Sequence, residues 1–177
     1  MPTYISLLRG INVSGQKKIK MTDLKSLYEE LGFTNVQTYI QSGNVVFEYQ
    51  VSSPEKLEQV IFDKIKVYYG FEVPNLILSP TIIKTTLKNN PFKGIEKMYF
   101  TFLAKNPLKE NIEGLGAFNF IEEFYELKAK VIYFHCPNGY GRAKMNNNFF
   151  EKKLKVAATT RNLKTTKKLL EMAKFTS

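Results

Sequence analysis

The first 78 residues carry one order of elements (strand, helix, strand, strand, helix, strand) that few folds accept. Residues 3 to 8 (TYISLL) read as a short apolar strand that ends at Arg9-Gly10. A helix follows, with Thr22 as the expected cap, Leu24, Leu27, Tyr28 and Leu31 at helical spacing, and Gly32 as the left-handed stop. Strands at 35 to 40 (NVQTYI) and 44 to 49 (NVVFEY) are joined by Gln41-Ser42-Gly43, where glycine can take positive φ. The second helix opens at Ser53-Pro54, repeats Leu57, Ile61, Ile65 and Tyr68, and stops at Gly70. Residues 72 to 78 (EVPNLIL) supply a fourth strand. This order predicts an α+β fold of the ferredoxin-like kind, a four-stranded antiparallel sheet with both helices on one face.

The rest of the chain repeats the pattern loosely. A helix capped by Ser79-Pro80 stops near Asn90-Pro91, strands fall at 97 to 104, 118 to 127 and 130 to 135, and helices at 107 to 115 and 144 to 154. A short strand near 155 to 158 precedes a last helix at 162 to 174, with Leu163, Leu169, Leu170 and Ala173 available for docking. The expectation is two ferredoxin-like subdomains packed together, residues 1 to 79 and 80 to 177, the second bearing a basic C-terminal helix. Tyr4-Ile5, Leu7-Leu8 and Val45-Val46-Phe47 are nearly unbroken apolar runs, which implies that both faces of the first sheet are covered, with the second half expected over the open face. An RNA-recognition sheet would need aromatic side chains where the third strand has Asn44 and Val46, so that topology fits while its stacking chemistry does not.

With 44% hydrophobic residues in 177, the chain is globular and not disordered. No apolar run approaches the roughly 20 residues that cross a bilayer, and MPTYISLLRG lacks the parts of a signal peptide, so a cytoplasmic protein without a membrane partner is expected. One cysteine, Cys136, excludes an internal disulfide, and one histidine, His135, leaves no nitrogen and sulfur set for a metal. His135 and Cys136 are neighbours on an extended segment and should face opposite ways, which argues against a Cys-His nucleophile pair. Glu122, Glu123 and Glu126 lack a motif that would position a substrate and read as edge or surface charges. No catalytic residue, reaction or cofactor is therefore assigned, and a monomer is expected.

Charge is more informative. Residues 142 to 177 hold ten Lys or Arg against Glu151 and Glu171, a balance of +8 out of a net +10, and Arg9, Lys17, Lys18 and Lys20 form a second acid-free cluster. Such patches suit nucleic acid or a small anion, and a solvated lysine surface is the plain alternative. Only three of 26 cations are arginine: Arg9, Arg142 and Arg161. Each stands beside glycine or asparagine at a junction of elements, where a planar guanidinium can grip a carboxylate or phosphate.

Four groups follow from this. In LLRGIN, Arg9 and Asn12 can project from a strand end. In IQSGNVVF, Gln41, Ser42 and Asn44 crowd donors and acceptors around one turn, and the plain alternative is that Ser42 and Asn44 satisfy the turn's own backbone. GYGRAK, with Lys144, places two glycines and two cations between a strand and a helix, without the spacing of a nucleotide loop. Thr160, Arg161 and Asn162 set a guanidinium and cap residues at the positive end of the last helix, where the alternative is an N-cap plus an ion pair to Glu122, Glu123 or Glu126.

Residues 7 to 13 (LLRGINV) with Lys17 to Met21, residues 39 to 47 (YIQSGNVVF) and the TTRN at 159 to 162 resemble the bacterial family called domain of unknown function 1697. The resemblance implies paired ferredoxin-like subdomains and carries no catalytic residue. The chain departs from the family's pattern at Ala143-Lys144, where Ser-Lys is common, and at Leu163, where a tryptophan follows Arg-Asn.

The expected function is binding of a small phosphate- or carboxylate-bearing ligand in a cleft between the halves, formed by Arg9, Asn12, Gln41, Ser42, Asn44, Lys144, Arg161 and Asn162. Nucleic-acid binding through the basic C-terminal region and a ligand-free interaction module are the alternatives.

Overall fold

The computed structural model describes residues 1–175. It contains two compact units, Met1–Thr85 with the residues from Lys167 on, and Thr86–Thr166. In the first, β1 (Thr3–Leu8), β2 (Thr34–Tyr39), β3 (Asn44–Glu48) and β4 (Asn75–Leu78) form one antiparallel sheet in the order β2-β3-β1-β4. β1 takes the centre, pairing Ile5 with Val46 of β3 and with Leu78 of β4. This is the ferredoxin-like order expected from the sequence.

Helices α1 (Met21–Glu30) and α2 (Pro54–Tyr69) belong to the core that one face of this sheet builds. Tyr4, Leu8, Val45, Phe47 and Ile77 meet Leu24, Leu27 and Tyr28 of α1 and Leu57, Ile61 and Ile65 of α2 there. Ser6, the polar residue between Tyr4 and Leu8, is fully buried and satisfied by the Tyr28 hydroxyl at 2.8 Å. Ile5, Leu7 and Val46 alternate onto the other face and are equally buried. Both faces are thus covered, as their unbroken apolar runs require.

The two helices begin differently. Ser53 caps α2, its hydroxyl accepting from the Lys56 amide at 3.3 Å, and Pro54 fills the first turn. At α1 the expected Thr22 cap is not formed. The helix starts one residue earlier, Lys20 occupies the cap position, and no side chain bonds the first amides. The stripe on α2 is also corrected at its end: Tyr68 is exposed, and Tyr69 turns inward to stack on Phe71 with ring centroids 5.5 Å apart.

The second unit repeats the topology. Strands β5 (Met98–Leu103), β6 (Phe124–Lys128), β7 (Val131–His135) and β8 (Ala158–Asn162) lie in the order β6-β7-β5-β8, with α4 (Lys109–Leu115) and α5 (Asn147–Leu154) in the connections. α3 (Pro80–Lys88) precedes β5, and α6 (Leu163–Phe175) follows β8. Residues 118 to 123 do not join β6. They turn, and Phe118 and Phe120 pack edge-on against Phe149. β8 comes later than the expected 155 to 158 because Lys155, at φ 54°, ends α5 in the left-handed region. The threonines then pair with the centre of β5, Thr160 opposite Thr101.

Each sheet has one outer strand tied to a helix by a carboxylate. Glu58 of α2 accepts from the Ile77 amide of β4 at 2.9 Å, and Glu151 of α5 accepts from the Ala158 amide of β8 at 2.7 Å.

Candidate functional site

The segment Gly10–Lys20 leaves the end of β1 as a tightly wound loop. Gly10, Asn12, Ser14, Gly15 and Lys17 all have φ between 46° and 74°, and three of them are not glycine. Such backbone persists only where surroundings fix it, and it clusters at binding sites. The fixing here is done by Asn12. Its Nδ2 donates to the carbonyls of Ile19 at 3.0 Å and Gln41 at 2.8 Å, while its Oδ1 accepts from the Ile19 amide at 2.9 Å. Ile11 and Ile19 anchor the two ends of the loop in the core, and Lys17 Nζ reaches the Glu72 carbonyl at 2.7 Å.

The β2–β3 turn closes on this loop. The Leu8 amide donates to the Gly43 carbonyl at 2.8 Å, and a Cβ at Gly43 would lie 2.8 Å from Leu8 Cβ and 2.7 Å from Ile11 Cδ1. With φ at 88° as well, only glycine fits. Asn44 is fully buried, and its Nδ2 donates to the Tyr39 carbonyl at 2.9 Å and the Ser42 hydroxyl at 3.0 Å. These bonds hold the turn itself, the plain alternative raised for Ser42 and Asn44.

Between the loop and α1 lies a cleft of about 720 Å³ to which Asn12, Gln41 and the start of α1 contribute. Its cations are Lys18 and Lys20, both exposed and neither in an ion pair among the described residues. The first helical bond is Leu24 N to Lys20 O, so the amides before it have no helical acceptor, and no cap side chain replaces one. Asp23 and Tyr69 complete the polar lining. The Tyr69 hydroxyl is buried without a hydrogen-bond partner, and its pKa is raised by burial first and then by the charge of Asp23.

Of the eight residues expected to bind, five gather at this end of the first sheet. Gln41 lines the cleft, Asn12 lines and braces it, Ser42 and Asn44 build the turn beside it, and Arg9 sits half-buried at the strand end with its amide on the Pro74 carbonyl at 2.9 Å. The other three lie in the second unit. Lys144 is exposed, with its Nζ over the Phe120 ring at 5.6 Å. The amides of Lys144 and Met145 both donate at 2.8 Å to the Glu123 carboxylate, so the chain's own anion fills that cradle and Glu123 is more than a surface charge. Arg161 is 9% exposed, its Nη1 donates to the Thr160 carbonyl at 2.9 Å, and burial lowers its pKa to about 10. Asn162 caps α6, accepting from the Thr165 amide at 2.8 Å. His135 Nδ1 donates to the Lys97 carbonyl at 3.1 Å, and Cys136 is buried.

Sequence reasoning missed Tyr69 and Asp23. The signal for Tyr69 was its spacing of four from Ile65, which in turn follows Ile61 by four.

The model of the family described as protein of unknown function (DUF1697) matches residues 1–133, a span that includes both LLRGINV and YIQSGNVVF. The chain belongs to this family. Within DUF1697, the loop, the turn and the cleft they flank all fall inside the matched span, whereas Lys144, Arg161 and Asn162 lie beyond it. A solved structure, that of conserved bacterial protein SP0830 from Streptococcus pneumoniae, is similar over 97% of this chain and 98% of its own, with a TM-score of 0.76 and 24% identity, a likeness in fold. No curated protein matches the chain. Among the described residues no group of His, Cys, Asp and Glu is placed to hold a metal ion, and no helix is long and apolar enough to cross a membrane.

Proposed function

We propose that this protein binds a small phosphate- or carboxylate-bearing ligand in the cleft between the Gly10–Lys20 loop and the start of α1. The observation that carries this reading is the cleft itself: about 720 Å³, within the size range of small-molecule sites, with an uncapped helix start and two lysines free of ion pairs on its wall. Free amides and the helix dipole favour an anion there, and Lys18 and Lys20 outweigh the single opposing charge of Asp23 in the first turn of α1. The strained loop supports it, because Asn12 holds backbone that would otherwise relax.

The test is a thermal-shift screen of the protein against phosphorylated and carboxylated metabolites, repeated with K18Q/K20Q. Ligand at 100 times its Kd adds about 2.7 kcal/mol, or about 5–10 °C for a chain of this length. A selective shift lost in the double variant is expected. No shift with any anion, or a shift that the variant retains, overturns the assignment.

A second reading has its own observation. Lys164, Lys167 and Lys174 are exposed on α6, opposite buried Thr165, Thr166 and Leu169, and residues 142 to 177 carry a balance of +8. Binding of nucleic acid there predicts affinity that falls steeply with salt, and a flat response excludes it.

A further inference from the structure

We infer that a second copy of this chain adds to the outer edge of β6, through one antiparallel strand pair centred on Leu127. This surface is separate from the cleft, and the two readings stand or fall independently.

The two sheets have four outer strands, β2 and β4 in one, β6 and β8 in the other. Three of them are closed to a further strand. Glu58 takes the outward Ile77 amide of β4, and Glu151 takes the outward Ala158 amide of β8. β2 is broken by a register shift between Thr34 and Gln37, with Asn35 at φ 49°. β6 carries none of these devices. It pairs with β7 without a break from Phe124 to Lys128. The two-residue turn Ala129-Lys130 makes Lys128 and Val131 the first bonded pair, so Lys128, Glu126 and Phe124 direct their backbone groups at β7. Tyr125 and Leu127 direct theirs away from the sheet, and no side chain or loop of the described residues accepts from those two amides.

Charge decides what fits there. A lysine on an outer strand ordinarily discourages addition. Lys128, however, shares its face with Glu126, their charged ends lie 3.6 Å apart, and the two side chains are 43% and 44% exposed. Set antiparallel to itself, Glu126-Leu127-Lys128 is its own complement. Leu127 stands opposite Leu127 of the second copy and exchanges both backbone bonds with it, while each Glu126 meets a Lys128 at a non-bonded position, where side chains approach most closely. The adjacent register would place Glu126 against Glu126 at such a position, like charge on like. Two five-residue strands bury less than the roughly 1,600 Å² of a standard interface, and each chain carries a net charge of +10, so the association is weak and needs salt to screen the repulsion.

The experiment is sedimentation of the full chain from about 10 μM to about 1 mM in about 0.15 M salt, with Glu126→Lys, Lys128→Glu and an equimolar mixture of the two variants. A dimer with Kd on the order of 100 μM is expected for the native chain. Each variant alone sets like charges opposite one another and should weaken it about tenfold or more, whereas the mixture restores both ion pairs and should recover the native association. A misfolded variant could not produce that recovery. Amide exchange of the native chain gives a readout without substitution: the Leu127 amide should exchange severalfold more slowly at the high concentration, and the Tyr125 amide should not change. A single chain throughout the range overturns the proposal and leaves β6 to a strand of another protein. A dimer that survives both substitutions, a mixture that does not recover, or a Leu127 amide indifferent to concentration also overturns it.

Discussion

Gly43 carries two demands at once, a positive φ and a backbone within reach of Leu8 and Ile11, so Gly43→Ala combines strain with a clash. A loss of about 3 kcal/mol is expected on chemical denaturation, with the cleft distorted as well. Asn12→Ala should cost about 1–3 kcal/mol and abolish ligand binding, since it releases the loop from the turn although its own polar atoms are already engaged. The glycine was legible in the sequence because its conformational need is local. The role of Asn12 was not, because one of its partners is 29 residues away, and a polar side chain near a strand end looks alike whether it holds a ligand or a neighbouring carbonyl. Cys136 gives a test by pH. Burial first, and then the charge of Glu123, raise its thiol to about 11 from an ordinary 9, so the unfolded chain releases this proton before the folded one does. Stability should therefore fall as pH climbs from 9 toward 11, and Cys136→Ala should flatten the first part of that decline in urea melts. Above pH 10 the raised hydroxyls of Tyr28, Tyr99 and Tyr133 act in the same direction, and the lowered Arg161 opposes them.

Helix starts tell the same story one level up. Lys20 and Ser53 have nearly the same backbone, φ −72° and ψ 138° against φ −70° and ψ 145°, so α1 has the geometry for a cap and lacks only the side chain. Lys20→Asp should supply it, raising stability by about 1 kcal/mol in thermal melts. The same substitution should eliminate anion binding, because the new carboxylate competes for the free amides and replaces a cation. Ser53→Ala should cost about 1 kcal/mol with no effect on ligand. Element order and stripes were readable from periodicity, while boundaries failed where a side chain decided them from outside the segment. Thr22 looked like a cap, yet the helix had already begun at Met21. The 155 to 158 strand moved to Ala158–Asn162 because Lys155 takes a left-handed conformation usually left to glycine.

Across the whole molecule, the strand order β2-β3-β1-β4 recurs as β6-β7-β5-β8. Topology was recoverable because hydrophobic spacing survives where sequence identity between the halves does not. The candidate site was less so: three of its eight expected residues fall in the second unit, where Glu123, Thr160 and Thr165 already engage backbone or side-chain groups of Lys144, Arg161 and Asn162. Glu58 and Glu151 have a further bearing. An outer strand is a template on which a foreign strand can add, and each of these carboxylates occupies an amide such an addition would need. Strand addition at β4 and at β8 is thus opposed by one glutamate each. Glu151→Ala should leave the chain folded yet prone to concentration-dependent association, visible as a growing scattering signal on storage.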